Sequence, residues 1–316
     1  MAYEPVEPSP EHHTVDVEGV PVHYIDHGGS GPILVLVHGL GGAAINWMSS
    51  APLLAVRTRV VALDLPGFGR TPRSGRPTTV EANAELLAAF VSRMFAGPVV
   101  LVGNSMGGMI SMIAAAEHPD RVAGAVLVDP ALPAWPDAID PLVGQMFLAY
   151  HTPGLGEMFM TQWADTLGPR GMVEQMLQLC FADPTRISPA VVDAHLAQLM
   201  EAQADRDREI ADFLEASRSL TGLLMDLDRW RGMVERIQAP VLLVAGDRDR
   251  LVPVVSARAM AELHPQWAYR ELEDVGHTPM LEDPVGFTSA VFDWLDGAGK
   301  DAVHAAEHEE VLGPIA

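Results

Sequence analysis

A chain of 316 residues, 48% of them hydrophobic, is long enough for one large domain or for a domain carrying a sizeable insertion, and its composition excludes wholesale disorder. A formal charge of −22 sets the chain against nucleic acid and anionic membrane surfaces, whose phosphates it would repel. A single cysteine, Cys180, excludes an internal disulfide or a multi-cysteine metal site, and a single lysine, Lys300, excludes a P-loop and Schiff-base chemistry on a core lysine.

The opening residues, MAYEPVEPSPEHH, are acidic and proline-rich and lack the basic and apolar parts of a signal peptide. No apolar run approaches the roughly 18–20 residues that cross a bilayer, so a cytoplasmic protein without stable membrane insertion is expected. Val15, Val17, Val20, Val22 and Tyr24 alternate on either side of a Glu-Gly step, which predicts an antiparallel hairpin. Short β-rich runs follow: ILVLV at 33–37, RVVAL at 59–63, VVLV at 99–102 and AVLV at 125–128. Runs this apolar suit strands covered on both faces, as in a parallel sheet, and helices are expected at about 80–95 and 105–117.

From Pro133 to about Arg236 the alternation stops and the pattern is mostly helical, rich in methionine and aromatic residues. Strands resume with VLLVA at 241–245, then a helix near 255–263 and a strand at 268–273. Asp283-Pro284 has the form of an N-cap with proline in the first turn and opens a helix to about Leu295. The expected organisation is an α/β core over 1–132 and 237–297, a helical cap at 133–236 and a polar, frayed tail over 298–316.

Within this frame Gly103-Asn104-Ser105-Met106-Gly107 matches G-x-S-x-G, a strand–turn–helix elbow that lifts a serine hydroxyl above the strand ends. The backbone N–H of Met106 would point at an oxyanion, and the N–H of Leu40, in the His38–Gly42 loop after the strand 33–37, is the natural second donor. His38 itself is expected to fix that loop by hydrogen bonding. A serine needs a base, and His277, in VGHTP beyond the last strand, is placed to return to it. The base needs an orienting carboxylate; GDRDRLVP at 246–253 offers Asp249, the preferred residue, and Asp247, while Asp129 is a third candidate.

Two look-alikes compete. Gly39-x-Gly41-x-x-Ala44 with Asp64 about twenty residues on satisfies a dinucleotide-binding fingerprint, but the same loop is needed for the oxyanion and Asp64 reads as a turn residue entering LPGFG. His304-Ala-Ala-Glu307-His308 has the form of an inverted zinc-protease motif but lacks a later ligand.

The landmarks HGLGG at 38–42, DLPGFGRT at 64–71, GNSMGG at 103–108, GDRDRLVP at 246–253 and GHTPMLEDP at 276–284 together resemble those of cap-bearing α/β-hydrolases, over about residues 15–297. The resemblance implies an α/β-hydrolase fold with the cap inserted after the sixth strand, Ser105 as nucleophile, His277 as base, Asp249 as acid, and Leu40 and Met106 as oxyanion donors. It implies a carboxylesterase- or lipase-like hydrolase of a small apolar ester, with no metal or organic cofactor; oligomeric state stays open. GNSMGG is similar also to hydrolases that cut a carbon–carbon bond in a vinylogous diketone, although these usually carry tryptophan after the histidine, where Thr278 stands here. A non-catalytic ligand receptor on the same fold is the alternative from another class.

Overall fold

The computed structural model describes residues 10–202 and 205–306. In chain order it runs β1 (Glu11–Val17), β2 (Val20–Gly28), β3 (Ile33–Val37), a one-turn helix α1 (Ala51–Leu54), β4 (Arg59–Leu63), α2 (Val80–Met94), β5 (Val99–Asn104), α3 (Met106–Glu117) and β6 (Val122–Val128). A helical insertion follows: α4 (Pro141–His151), α5 (Leu155–Cys180), α6 (Pro189–Ala202), α7 (Arg206–Met225) and α8 (Leu227–Val234). The core resumes with β7 (Val241–Gly246), α9 (Val254–Leu263), β8 (Ala268–Leu272), α10 (Pro279–Glu282), α11 (Pro284–Asp296) and α12 (Lys300–Ala306).

Among the described residues eight strands form one sheet in the order β1-β2-β4-β3-β5-β6-β7-β8. The hairpin β1–β2 turns at Glu18 and Gly19, both at positive φ, and β2 meets β4 antiparallel; every pairing from β4 to β8 is parallel. The apolar strand runs are explained by the two-residue period of a strand buried on both faces. Ile33, Val35 and Val37 of β3 face the core built with α2 and α3, whereas Leu34 and Leu36 face the core built with α1, α11 and α12. The same alternation holds for Val99 and Leu101 against Val100 and Val102 in β5, and for Val241 and Leu243 against Leu242 and Val244 in β7.

The insertion after β6 covers the carboxyl ends of the parallel strands. α5 is broken at Gly168, whose φ is 62°, immediately before Pro169, so the span Leu155–Cys180 is two helical segments meeting at a kink. Tyr150, Met160, Ile210 and Leu214 form its own small core, with Tyr150 edge-to-face against Phe147, Phe159 and Phe213. Polar ties bind it to the core: the Arg73 guanidinium to Asp212 at 2.8 Å, the Thr78 hydroxyl to the Asp212 carbonyl at 2.8 Å, and Arg70 to Glu201 at 2.8 Å.

One expectation is corrected. Of the residues read as a frayed tail, 300–306 form α12, with Ala302 and Ala306 buried. The reason is steric: a Cβ on Gly124 of β6 would lie 2.7 Å from the Ala302 Cβ and 2.9 Å from the Trp294 ring, so the glycine opens the space into which an alanine edge docks. Residues 307–316, with Glu307 and His308 of the zinc-protease look-alike, lie outside the described residues. Ala302→Glu is expected to lower stability by about 2 kcal/mol by undocking α12, whereas Asp301→Ala, one position along on the exposed side, should shift the chemical denaturation midpoint little.

Candidate active site

Parallel pairing puts four strand ends side by side: Val37 opposite Gly103, Asn104 opposite Val128, and Val128 opposite Val244. The residues just past these ends are His38, Ser105, Asp129 and the 246–249 loop, so the register alone gathers the chemistry at one edge of the sheet.

Ser105 stands between β5 and α3 with φ 54° and ψ −118°, a backbone conformation that costs a non-glycine residue about 1–3 kcal/mol. Its surroundings over-determine that conformation. The Ser105 N–H donates to the Val128 carbonyl at 3.0 Å, and the Ser105 carbonyl accepts from Ala131 and Met109 at 3.0 and 3.1 Å. The flanking glycines are required by contact rather than by freedom of φ: a Cβ on Gly103 would lie 2.3 Å from the Gly107 carbonyl oxygen, and one on Gly107 would lie 2.3 Å from that of Val37.

His277 is buried, its Nδ1 hydrogen-bonded to Asp249 Oδ2 at 2.7 Å. Because a carboxylate accepts, Nδ1 carries the hydrogen, which leaves Nε2 as the nitrogen able to take a proton. The backbone of His277 is clamped on both sides: its N–H donates to the Cys180 carbonyl at 2.7 Å, and its carbonyl accepts from Asn104 Nδ2 at 3.0 Å. Asn104 thereby ties the histidine loop to the serine turn. Asp249 Oδ1 accepts the N–H groups of Leu251 and Val252 at 2.7 and 3.0 Å. The two aspartates of GDRD are thus separated by geometry: Asp249 turns inward to the imidazole, while Asp247 Oδ1 braces the loop at the Val275 N–H, 3.4 Å away.

The loop after β3 is braced by His38. Buried His38 donates from Nδ1 to the Gly39 carbonyl at 2.8 Å and accepts the Leu65 N–H on Nε2 at 3.0 Å, and its burial lowers its pKa. It is therefore a neutral brace. Asp64 does more than enter a turn: its carboxylate accepts from Ala44 N, Arg70 N and His23 Nδ1 at 2.7, 2.8 and 2.7 Å. Burial would push this carboxyl up, but the bond to His23 and the other donors hold it below the ordinary range. The dinucleotide reading is set aside by the same contacts, since Asp64 is spent inside the protein and the loop leads into only a four-residue 3-10 turn at Ala44–Trp47. The N–H groups of Leu40 and Met106 meet no acceptor among the described residues.

Ser105, His277 and Leu40 line one cavity of about 790 Å³ beneath the inserted helices. Its walls include Met146, Phe147, Met160, Met172 and Met176, whereas Met158 and Met200 face solvent. Among the described residues no group of three His, Cys, Asp or Glu side chains is placed to hold a metal ion. Sequence reasoning missed three further residues. Glu282, its side chain fully buried, accepts from Ala182, Asp183 and Gly276 N–H at 3.0, 2.9 and 2.8 Å and so locks the exit of α5 to the His277 loop. Glu209 and His195 bring polar groups to the cavity wall; burial, followed by Asp205 and Asp212, pushes Glu209 up to about 7, and burial lowers His195. The only available signal for Glu209 was its helical spacing with Arg206 and Phe213 on one face of α7.

The sequence matches the model of a family described as having the alpha/beta hydrolase fold, over residues 32–284. It is 30% identical to the pimeloyl-[acyl-carrier protein] methyl ester esterase of Aeromonas hydrophila, over 84% of this chain and 96% of that one. It is 27% identical to the 2-hydroxy-6-oxo-6-(2'-aminophenyl)hexa-2,4-dienoic acid hydrolase of Metapseudomonas resinovorans, over 89% of each. The dihydrolipoyllysine-residue acetyltransferase component of the acetoin cleaving system of Pseudomonas putida is 29% identical over 87% of this chain, which spans 66% of that protein. Among solved structures, an esterase of Thermogutta terrifontis superposes with a TM-score of 0.65 at 25% identity, over 92% of this chain and 100% of that one.

Cys180 lies against this site without the means to react: burial, reinforced by Asp249 and Glu282, pushes its thiol up to about 12. At pH 8 the native protein is expected to resist iodoacetamide at Cys180 for hours and to be labelled within minutes once unfolded, as read by intact-mass spectrometry; rapid native labelling would show an exposed thiolate.

Proposed function

We propose, for a chain that belongs to the alpha/beta hydrolase family, that it is a serine hydrolase cleaving carboxylic esters with an apolar acyl or alcohol part. The observation that carries this reading is the 2.7 Å bond from His277 Nδ1 to Asp249, which leaves Nε2 free to take a proton, in a residue that lines the same cavity as a serine held at a positive-φ turn. His277 takes the Ser105 proton as the hydroxyl attacks the ester carbonyl. The two unengaged N–H groups, of Leu40 and Met106, receive the oxyanion, each donor contributing about 3–4 kcal/mol of transition-state stabilisation. His277 then passes its proton to the leaving alcohol, and activates the water that hydrolyses the acyl-enzyme. Asp249 keeps the imidazole in the required tautomer and stabilises the imidazolium without itself taking the proton.

The largely aliphatic and thioether walls of the cavity favour an apolar substrate, and methionine side chains adapt to differing shapes. The relative from Metapseudomonas resinovorans, matched over most of both chains, motivates a second reading: hydrolysis of a carbon–carbon bond in a vinylogous diketone by the same three side chains. A panel crossing p-nitrophenyl ester chain length with such a diketone separates the two, and turnover of the diketone at a kcat/KM above that of every ester would replace the first reading by the second.

For the residue assignments, Ser105→Ala and His277→Ala are each expected to lower ester kcat by about 10³-fold or more. Asp249→Asn should cost about 10²–10⁴-fold, because the amide stabilises the wrong tautomer, while Asp247→Asn stays within about threefold. The reverse ranking of the two aspartates would mean that the acid is Asp247.

A further inference from the structure

Behind the His277–Asp249 pair lies a second buried carboxyl that the mechanism above does not use. Asp129 follows β6 with φ 41°, in the left-handed region that a non-glycine residue seldom occupies. Its Oδ1 accepts the Gly246 N–H at 2.9 Å, while its buried Oδ2 meets no donor. The Asp249 carboxyl belongs to the same short loop, since Gly246 both donates to Asp129 Oδ1 and accepts the Asp249 N–H at 3.3 Å, and its charge raises the Asp129 pKa. Two ionised carboxylates held close together away from water repel each other, so the arrangement is stable only when one of them is protonated. A proton on Asp129 Oδ2 turns the orphaned acceptor into a donor. Which group carries the proton follows from the donors each already has. Asp249 takes the Leu251 and Val252 N–H groups and His277 Nδ1–H, whereas Asp129 takes a single N–H. The carboxyl with three donors keeps the charge and the one with a single donor keeps the proton.

We propose that Asp129 is a positioning residue held neutral, whose carboxylic acid O–H donates to Asp249 and fixes the angle at which Asp249 meets His277. This rests on the reading of Asp249 and His277 as the acid–base pair of a hydrolase. Among the described residues the charged groups that act on Asp129 are Asp249 and, more weakly, Glu282, both acidic; burial first, and the Asp249 charge next, push the Asp129 carboxyl well above the ordinary carboxylate range. The same stretch of backbone takes part in the serine turn, since the Val128 carbonyl accepts the Ser105 N–H. Asp129 therefore sets the geometry of the acid from the strand that also seats the nucleophile.

Asp129→Asn tests this directly, because the amide reproduces the protonated acid: its oxygen accepts from Gly246 and its NH₂ donates to Asp249. Asp129→Ala removes both bonds. Asp129→Asn is expected to keep kcat/KM on a p-nitrophenyl ester within about threefold and the midpoint of the acid limb within about 0.3 pH unit. Asp129→Ala should lose about tenfold in kcat and move that limb up by about half a unit, because an Asp249 charge with one donor fewer favours the imidazolium more strongly. A second readout is independent of turnover. A carboxyl whose folded pKa lies above its unfolded value must take up a proton on folding, so the stability it confers below about pH 4 is lost as pH rises toward the folded pKa. Asp129→Asn escapes that loss, and its advantage in Tm over the unaltered protein should widen from about pH 5 to about pH 8. If Asp129→Ala does not fold, Asp129→Asn carries the test alone. A Tm difference that stays flat with pH, or an acid limb lowered by about half a unit in Asp129→Asn as loss of a negative charge would produce, overturns the proposal. Failure of the underlying hydrolase reading shows itself differently, as undiminished turnover in Ser105→Ala, while the Tm series still reports on Asp129.

Discussion

The positive φ of Ser105 is held by two neighbouring strand ends, those of β3 and β6, and the arrangement of the sheet around the site follows that constraint. An isolated serine would relax out of this conformation, gaining about 1–3 kcal/mol. Here β6 takes its N–H, the carbonyl is used twice, and the β3 exit leaves no room for a side chain at Gly107. The parallel register that buries both faces of β3, β5, β6 and β7 is the same register that brings His38, Asp129 and Asp249 to the edge occupied by Ser105. Core packing and site assembly are thus one geometric problem, solved by apolar strands of matched length.

An acidic chain that buries carboxyls beside its site must satisfy each of them. Asp64 does so with two backbone N–H groups and His23 and holds the loops after β3 and β4. Glu282 does so with three backbone N–H groups and joins the end of α5 to the loop carrying His277. Asp249 does so with two backbone N–H groups and the imidazole. In each case the donors belong to segments far apart in sequence, so the buried charge fixes the relative positions of loops that sheet pairing does not reach. Asp129, with one backbone donor, is the exception, and its solution is to be neutral.

Much of this was legible in the amino-acid sequence. Two-sided apolar runs announced the parallel strands, and the Gly-x-Ser-x-Gly spacing announced the turn, since both are local patterns with a steric cause. The order Ser105, Asp249, His277 along the chain is the one that the resemblance to cap-bearing α/β-hydrolases implies. What stayed hidden depends on contacts between distant segments. Nothing local separates Asp249 from Asp247 or Asp129; the distinction appears only when the loop after β7 closes on His277. Glu282 looks like one more surface acid in LEDP until the α5 exit folds over it. The docking of α12 needs the missing side chain of Gly124, and an alanine-rich segment of mixed polarity gives no sign of a partner. The cavity walls were legible only as an excess of methionine and aromatic residues, because which face of each inserted helix turns inward is decided by the break at Gly168 and by Tyr150 packing against three rings.

The central claim is that Ser105 becomes covalently acylated during turnover. Rapid acid quench of the protein mixed with a p-nitrophenyl ester, followed by peptide mass spectrometry, measures this directly. The acyl mass is predicted on the peptide containing Ser105, appearing with the burst of p-nitrophenol and absent from Ser105→Ala, with the adduct persisting longer in Asp249→Asn if deacylation is slowed. Steady turnover with no acyl group on Ser105, or turnover unchanged in Ser105→Ala, would contradict it.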